Sequence, residues 1–152
     1  LDIMKFSENE MSEFHRKKIG FVFQKFNLLP MLNVRENIVL PLTLGGETVD
    51  DEYIDELIQF LGLRQREKHL PGELSGGQQQ RVSIGRALAT KAEVLLADEP
   101  TGNLDQNTSY EIMEYFRNLN KKYGKTIIMI THDMNLAQNA DEIIQIVDGR
   151  II

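Results

Sequence analysis

The stretch Ser75-Gly76-Gly77 has residue types that suit phosphate binding. Good helix formers follow it, and Ser75 is a good N-cap because its hydroxyl accepts a hydrogen bond from a free backbone N–H. The two glycines have no Cβ, so another group can approach their backbone closely. The free N–H groups and the positive end of the helix dipole suit a phosphate. Taken alone, a glycine-containing loop that caps an ordinary helix is the simpler explanation.

A second stretch with chemical potential is Asp98-Glu99, which ends the apolar run Val94 to Ala97. The apolar run predicts a short buried strand. Two carboxylates at the end of such a strand can hold a divalent cation and polarise a water molecule. For Asp-Glu alone, two exposed acids at a strand end are an equally ordinary explanation.

These two stretches belong to a set of five whose order resembles that of the ATP-binding cassette (ABC) ATPases. Leu74 to Gln78 is identical to the family's signature sequence, and the apolar run ending in Asp98-Glu99-Pro100 resembles its Walker B strand. The other matches are Gly20-Phe21-Val22-Phe23-Gln24 to the Q-loop, Gly102-Asn103-Leu104-Asp105 to the D-loop and Thr131-His132-Asp133 to the H-loop. The resemblance covers nearly the whole chain.

A finer resemblance is to the subgroup that serves lipoprotein release, macrolide export and antimicrobial-peptide export or resistance. It is carried by Phe26 to Pro30, Glu36 to Ile38, Pro41-Leu42 and Pro100 to Asp105. One departure is Gly85, which stands where the family usually has alanine and is expected to weaken its helix slightly.

The resemblance implies ATP as the substrate and Mg²⁺ as the cofactor. ATP hydrolysis needs Mg²⁺ on the β- and γ-phosphate oxygens, an oriented water and donor groups around the γ-phosphate. By resemblance, Asp98 holds Mg²⁺ through its water shell and Glu99 polarises the attacking water as general base. His132 is the implied γ-phosphate contact. Gln24 is the implied contact to Mg²⁺ and water, and the hinge between the core and a helical subdomain.

The resemblance also implies a dimer of cassettes that holds two nucleotides between its subunits. The residues expected to act on ATP held by the other subunit are Ser75, Gly76, Gly77 and Gln78. Asp105 is expected both to cap a helix and to contact the second ABC ATPase subunit. Closure of the dimer would drive an integral-membrane permease, whose coupling helix meets the segment after Gln24. The implied location is cytoplasmic, peripheral on the inner face of the cell membrane.

A P-loop is not found in this sequence, which has no Gly-x-x-x-x-Gly-Lys-Ser/Thr. The P-loop supplies the N–H cradle and the lysine that hold the β- and γ-phosphates, and in the family it precedes the Q-loop. We therefore interpret the chain as a C-terminal fragment of an ABC ATPase domain. We expect it alone to bind ATP weakly or not at all and not to hydrolyse it. We also expect self-association or rearrangement through uncovered strand edges or apolar surface.

Composition narrows the partners. A net charge of −6 gives no support to a basic nucleic-acid-binding surface, so we expect no nucleic-acid partner. The sequence has no cysteine, which excludes a disulfide framework and a cysteine-based metal site. No apolar run approaches the length of a membrane-spanning helix, and the first residues are unlike a signal peptide. Membrane association is therefore expected only through a partner.

The leading interpretation is the ATPase subunit of an ABC transporter of the exporter type, and two alternatives stay open. One is a cell-division ABC ATPase, which acts through a similar membrane partner. The other is a non-catalytic association module that pairs with an intact ATPase and offers its signature sequence to it. ABC ATPases of DNA repair or translation usually carry long insertions or basic surfaces, and neither is present here.

Strands that alternate with helices favour an α/β fold with a mainly parallel sheet. We predict one incomplete P-loop NTPase core with a small helical subdomain that carries the signature motif. Its parts are a partial core and Q-loop in 1–29, the helical subdomain in 30–90, and a core with Walker B, D-loop and H-loop in 91–152. Specific predictions are a helix capped by Ser7, a strand Ile19 to Phe23, a helix from Val34 that Pro41 kinks or ends, a helix from Thr48 to Leu61, a central strand Thr126 to Thr131, and a terminal hairpin from Glu142.

Overall fold

A parallel three-stranded sheet lies at the centre of the computed structural model, which describes residues 3–152. The strands are β1 (Ile19–Phe23), β2 (Val94–Asp98) and β3 (Thr126–Ile130), in the order β1-β2-β3. Phe23, Asp98 and Ile130 are in register, so the three strands end at one edge. This confirms the predicted α/β class and brings the loops after the strands together.

Residues 3–152 also form six α-helices. Their bounds are α1 (Glu8–Lys18), α2 (Val34–Leu44), α3 (Asp51–Phe60), α4 (Gly76–Leu88), α5 (Gln106–Tyr123) and α6 (Met134–Ala137). The short 3₁₀ turns are Ile3–Lys5, Arg64–Arg66 and Pro71–Glu73. Ser7 caps α1 through a capping box with Glu10, as its spacing predicts.

Two local predictions concern the helical segment 30–90: a kink or an end at Pro41, and a helix cap at Thr48. Pro41 does not end α2, which continues to Leu44 with Leu42 buried. Burial of the Leu42 side chain offsets the hydrogen bond that a proline cannot donate. The cap of α3 is Asp50 rather than Thr48: the Asp50 carboxylate accepts from the N–H of Tyr53 at 3.1 Å. A carboxylate at this position also suits the helix dipole.

Helix α4 lies in the interior, with Val82, Ile84 and Leu88 almost fully buried. It packs closely at Gly85, where an added Cβ would lie 2.9 Å from Leu61 Cδ1 and 3.0 Å from Ile38 Cδ1. Real Cβ atoms rarely approach so closely. Glycine at position 85, where the family usually has alanine, therefore leaves room for the side chains of Leu61 and Ile38. Its effect is larger than a small loss of helix propensity.

The two faces of the sheet differ in burial. Val22, Leu95 and Ala97 face the core and are at most 2% exposed. On the opposite face Phe21, Phe23, Ile128 and Ile130 are 41%, 38%, 55% and 63% exposed. Strand β3 is also at an edge of the three-stranded sheet, not at its centre as the sequence predicted. Its β-branched, apolar residues are typical of a central strand, but no strand pairs with its outer side within residues 3–152.

The end of the chain forms the predicted hairpin, with β4 (Ile146–Val147) antiparallel to β5 (Arg150–Ile151), but its first strand begins at Ile146 and not at Glu142 as predicted. Its two turn residues, Asp148 and Gly149, have φ of 49° and 74°, as a type I′ turn requires. The hairpin side chains are exposed. Among the described residues, no helix is long and apolar enough to cross a lipid bilayer.

Candidate active site

The acidic couple lies at the edge where the parallel strands end. Asp98 is the last residue of β2, and Glu99 begins the loop that follows with φ of 45°. Two backbone hydrogen bonds hold this turn: Glu99 N–H donates to Ile130 O at 2.9 Å, and Gly102 N–H donates to Glu99 O at 3.0 Å. The turn is thereby fixed to the end of β3, from which the predicted histidine comes.

His132 meets Glu99 directly. Glu99 Oε1 lies 2.7 Å from His132 Nδ1 and accepts from the His132 backbone N–H at 3.0 Å. Because a carboxylate only accepts, the ring hydrogen lies on Nδ1. Hydrogen bonding and charge from Glu99, with a smaller contribution from Asp133, raise the pKa of His132 above its ordinary value. The contribution of the Glu99–His132 pair to the stability of the fold is complete at pH values below the ordinary histidine pKa. It is lost as the pH rises through the raised pKa of His132.

Asp98 is exposed at the strand end, between Phe23 and Ile130 of the neighbouring strands. Its carboxylate has no side-chain hydrogen bond or ion pair with the rest of residues 3–152, so it is available to a ligand. Within the same residues no three His, Asp or Glu side chains cluster so that they alone could hold a metal ion. A single free carboxylate fits Mg²⁺ held mainly through water and phosphate oxygens, and does not fit an all-protein cage.

Gln24 follows β1 and contacts the D-loop. Its Nε2 donates to Asn103 Oδ1 at 3.3 Å, and Asn103 Nδ2 donates to the Gln24 carbonyl at 2.9 Å. The same amide lies against Gly102, where an added Cβ would be 2.6 Å from Gln24 Nε2. The Q-loop and D-loop are therefore joined through one pair of amide side chains, a link that the sequence did not reveal.

Ser75 and Gln78 form the cap of α4. Gln78 N–H donates to Ser75 Oγ at 3.3 Å, and Ser75 N–H donates to Gln78 Oε1 at 2.9 Å. Ser75 is exposed and Gly76 is half-buried, so the start of the helix faces solvent. The capping box uses the side chain of Gln78, which was predicted only as a nucleotide contact.

Gly77 is the buried member of the signature loop. An added Cβ would overlap Thr108 Cγ2, on the first turn of α5. Thr108 is held in place by Asp105, whose Oδ1 accepts from Thr108 N–H at 3.0 Å and whose Oδ2 accepts from Thr108 Oγ1 at 2.6 Å. These bonds lower the pKa of Asp105. Asp105 is thus the predicted helix cap, and it also orders the side chain against which Gly77 packs.

Two polar residues of α4, the half-buried Arg86 and the fully buried Gln80, were not assigned a role from sequence. Arg86 donates to the carbonyls of Asn27 at 2.6 Å and Phe26 at 2.9 Å, and burial lowers its pKa. It therefore holds the loop that follows Gln24. Gln80 is fully buried and bonds to the loop after Glu99. The sequence signal that could have indicated these roles is the position of polar residues among the apolar residues of a helix.

The sequence of this chain is similar to those of known ABC transporter proteins. Residues 2–102 match the ABC transporter family. The chain is 47% identical over 148 residues to the macrolide export ATP-binding/permease protein MacB of Mannheimia succiniciproducens, covering 96% of this chain and 23% of MacB. It is 40% identical over 153 residues to the lipoprotein-releasing system ATP-binding protein LolD of Bacteroides fragilis, covering 99% of this chain and 71% of LolD.

Solved structures agree with the sequence match. The dimeric structure of MJ0796, a bacterial ABC transporter cassette, superposes with a TM-score of 0.81 at 42% identity, over 96% of this chain and 66% of that one. A post-hydrolysis dimer of the same cassette bound to ADP and Pi gives the same TM-score at 41% identity. The chain spans about a quarter of the length of the MacB proteins that it matches. On sequence and fold together, this chain belongs to the family of ABC transporter ATPase domains.

Proposed function

We propose that the chain is the part of an ABC transporter ATPase that carries the acidic couple, the H-loop histidine and the signature sequence, and that it couples ATP hydrolysis to export through a permease. The observation that carries this proposal is the meeting of Glu99 and His132 at 2.7 Å, beside Asp98, where the parallel strands end. An acid and a histidine from adjacent strands suit the activation of water next to a phosphate.

Glu99 is the proposed general base. Its Oε1 accepts two hydrogen bonds from His132, which hold the carboxylate in one orientation. The second oxygen is then the one that accepts a proton from water. The His132 side chain is 85% exposed, and since Nδ1 is engaged with Glu99, Nε2 is the proposed donor to the γ-phosphate when the ring is protonated.

Asp98 and Gln24 are the proposed residues for Mg²⁺. When bound, Mg²⁺ would neutralise charge on the β- and γ-phosphate oxygens. The unpaired carboxylate of Asp98 would hold it through water, which Mg²⁺ gives up reluctantly. The side-chain amide of Gln24 is hydrogen-bonded to Asn103. To contact a water molecule on Mg²⁺, the amide would have to give up that hydrogen bond.

The signature residues Ser75, Gly76, Gly77 and Gln78 are proposed to act on ATP held by a second cassette. Support comes from the exposed start of α4 and from the dimeric form of the related MJ0796 cassette. Asp105, at the start of α5, is proposed to contact that second subunit as well. Ser75 and Asp105 are exposed, as a dimer contact requires, whereas Gly77 is buried against α5.

A membrane permease is the proposed second partner. The related MacB proteins are ATP-binding/permease proteins, and LolD is the ATP-binding protein of a lipoprotein-releasing system. The receiving surface is proposed to be the loop between β1 and α2, where Leu29 and Met31 are 40% and 71% exposed. The ATPase would thus sit on the cytoplasmic face of the membrane, and the exported substrate would be a macrolide-like or lipid-modified molecule.

A chimera tests the catalytic proposal. The segment of Bacteroides fragilis LolD that precedes its region of match is joined to residues 1–152, and Mg-dependent ATP hydrolysis is measured. Glu99→Gln is expected to reduce kcat by at least about 100-fold, the range lost with a general base. Glu93→Gln is the matched control, because Glu93 is an exposed acid that precedes β2 and pairs with Lys18. If the chimera hydrolyses ATP and its Glu99→Gln variant does so at the same rate, Glu99 is not the general base.

A second candidate function is a non-catalytic association module. The observation in its favour is the exposed start of α4, where Ser75 of the signature loop faces solvent. We expect the 152-residue chain alone to bind Mg-ATP weakly or not at all by calorimetry, because it has no phosphate cradle. Capture of an intact cassette by the immobilised chain, reduced by Ser75→Arg, would support the module. Tight Mg-ATP binding to the chain alone would contradict this expectation.

A further inference from the structure

Gln80 is a buried polar side chain on the signature helix. It is 0% exposed, its Nε2 donates to Pro100 O at 2.6 Å, and the same nitrogen lies 3.5 Å from Phe23 O. Both neighbours are carbonyl oxygens, so the amide nitrogen, with its two hydrogens, must face them. Its Oε1 is buried and has no hydrogen-bond partner among residues 3–152.

The two carbonyls that Gln80 contacts lie where β1 and β2 lead into the loops of the candidate site. Phe23 ends β1 and precedes Gln24, and Pro100 follows Glu99. Phe23 is also in register with Asp98. One side chain of α4 therefore joins the signature helix to the ends of both strands that carry the predicted catalytic and metal-binding residues.

The burial of Gln80 does not fit a purely stabilising role. A buried amide oxygen without a donor lowers stability, and an apolar side chain of similar shape would fill the same space without that cost. Glutamate would place a carboxylate against two carbonyl oxygens, and asparagine is one methylene shorter. The two donors on one nitrogen are what this position uses.

We propose that Gln80 is a positioning residue that fixes the Asp98–Pro100 turn and the start of the Q-loop relative to the signature helix. Gln80 follows Gly76 by about 6 Å along the axis of α4, so a displacement at the signature loop moves the amide against Pro100. The turn then carries Glu99 with it. The catalytic meaning of this link rests on the proposed role of Glu99 as base, whereas the link itself is structural.

The test is amide hydrogen exchange, followed by NMR, on the 152-residue chain with Gln80→Met. The reporters are two N–H groups bonded to Glu99: His132 N–H to Oε1 and Gly102 N–H to the carbonyl, both at 3.0 Å. We expect both to exchange on the order of tenfold faster in the variant, while core amides of α5 change by less than about twofold. A uniform increase over the whole chain, or no change at the two reporters, would overturn the proposal.

Gln79→Met is the matched control, because Gln79 Nε2 donates to Leu74 O within the signature loop and does not reach the strand ends. It is expected to leave both reporters unchanged, and an equal effect from Gln79→Met would overturn the proposal. A second measurement serves even if Gln80→Met does not fold. In the wild-type chain the side-chain amide protons of Gln80 are expected to exchange at least about tenfold more slowly than those of exposed Gln65. Similar rates for the two glutamines would also overturn it.

The exchange experiment uses no nucleotide, so its outcome is independent of the chimera's ATPase activity. Loss of local protection in Gln80→Met with an inactive chimera would leave the positioning link standing and remove the proposed function. An active chimera together with normal protection at His132 and Gly102 in Gln80→Met would leave the proposed function standing and remove the positioning link.

Discussion

The second glycine of the signature loop offers a direct test of how α4 packs. In Gly77→Ala the new methyl would overlap Thr108 Cγ2, well inside the 3.4 Å at which ordinary contacts begin, and the two carbons must separate by about 1 Å. Rotation of Thr108 is not free, because its hydroxyl donates to Asp105 Oδ2 at 2.6 Å. The strain must therefore be taken up by a shift of α4 against α5 or by loss of the cap.

The expected cost follows from these contacts. Overpacking in a close-packed site costs about 1–3 kcal/mol. Alanine recovers up to about 1 kcal/mol over glycine inside a helix, and less at the second helical position, which Gly77 occupies. We expect the free energy of unfolding to fall by about 1–2 kcal/mol, which lowers Tm by roughly 3–6 °C for a chain of this size.

Urea unfolding followed by circular dichroism, at one fixed protein concentration, measures this change. Thr108→Ser removes the clashing methyl and keeps the hydroxyl, so the double variant Gly77→Ala/Thr108→Ser is expected to recover about 1 kcal/mol. Gly72→Ala is the control, because nothing lies within 4 Å of its added Cβ. A Gly77→Ala protein as stable as the wild type, or one equally destabilised in the Thr108→Ser background, would refute this account of the glycine.

Three further predictions address the site, a helix cap and the open face of the sheet. By NMR titration His132 is expected to show a raised pKa that Glu99→Gln returns toward the ordinary value, and an unchanged titration would show that the pair does not form in solution. Asp50→Ala is expected to cost about 1 kcal/mol in chemical unfolding, whereas Thr48→Ala stays within about 0.5 kcal/mol, and the reverse order would restore Thr48 as the cap. The exposed apolar face is expected to drive concentration-dependent self-association that Ile128→Lys weakens, and light scattering that gives 17.5 kDa for the wild type at every concentration would rule this out.

The local elements were predictable because their signals are local. The spacing of Ser7 and Glu10 specifies a capping box, and the apolar runs at Ile19 to Phe23 and Val94 to Ala97 specify strands, although each strand is fully buried on one face only and not throughout as predicted. Asp148-Gly149 specifies a two-residue hairpin turn, since both positions require positive φ. The same locality explains the error at α3, because Thr48 and Asp50 are both good caps and only packing decides between them.

What the sequence determined is the set of motifs and their order, because each depends on a few neighbouring residues with strong conformational or chemical preferences. Tertiary structure alone decided how those motifs meet. The Glu99–His132 pair, the Gln24–Asn103 link and the reach of Gln80 to Pro100 join residues 33, 79 and 20 positions apart. Contacts of that kind depend on strand order and helix packing, and no local pattern encodes them. For the same reason β3, whose composition is that of a central strand, lies at the edge of the described sheet.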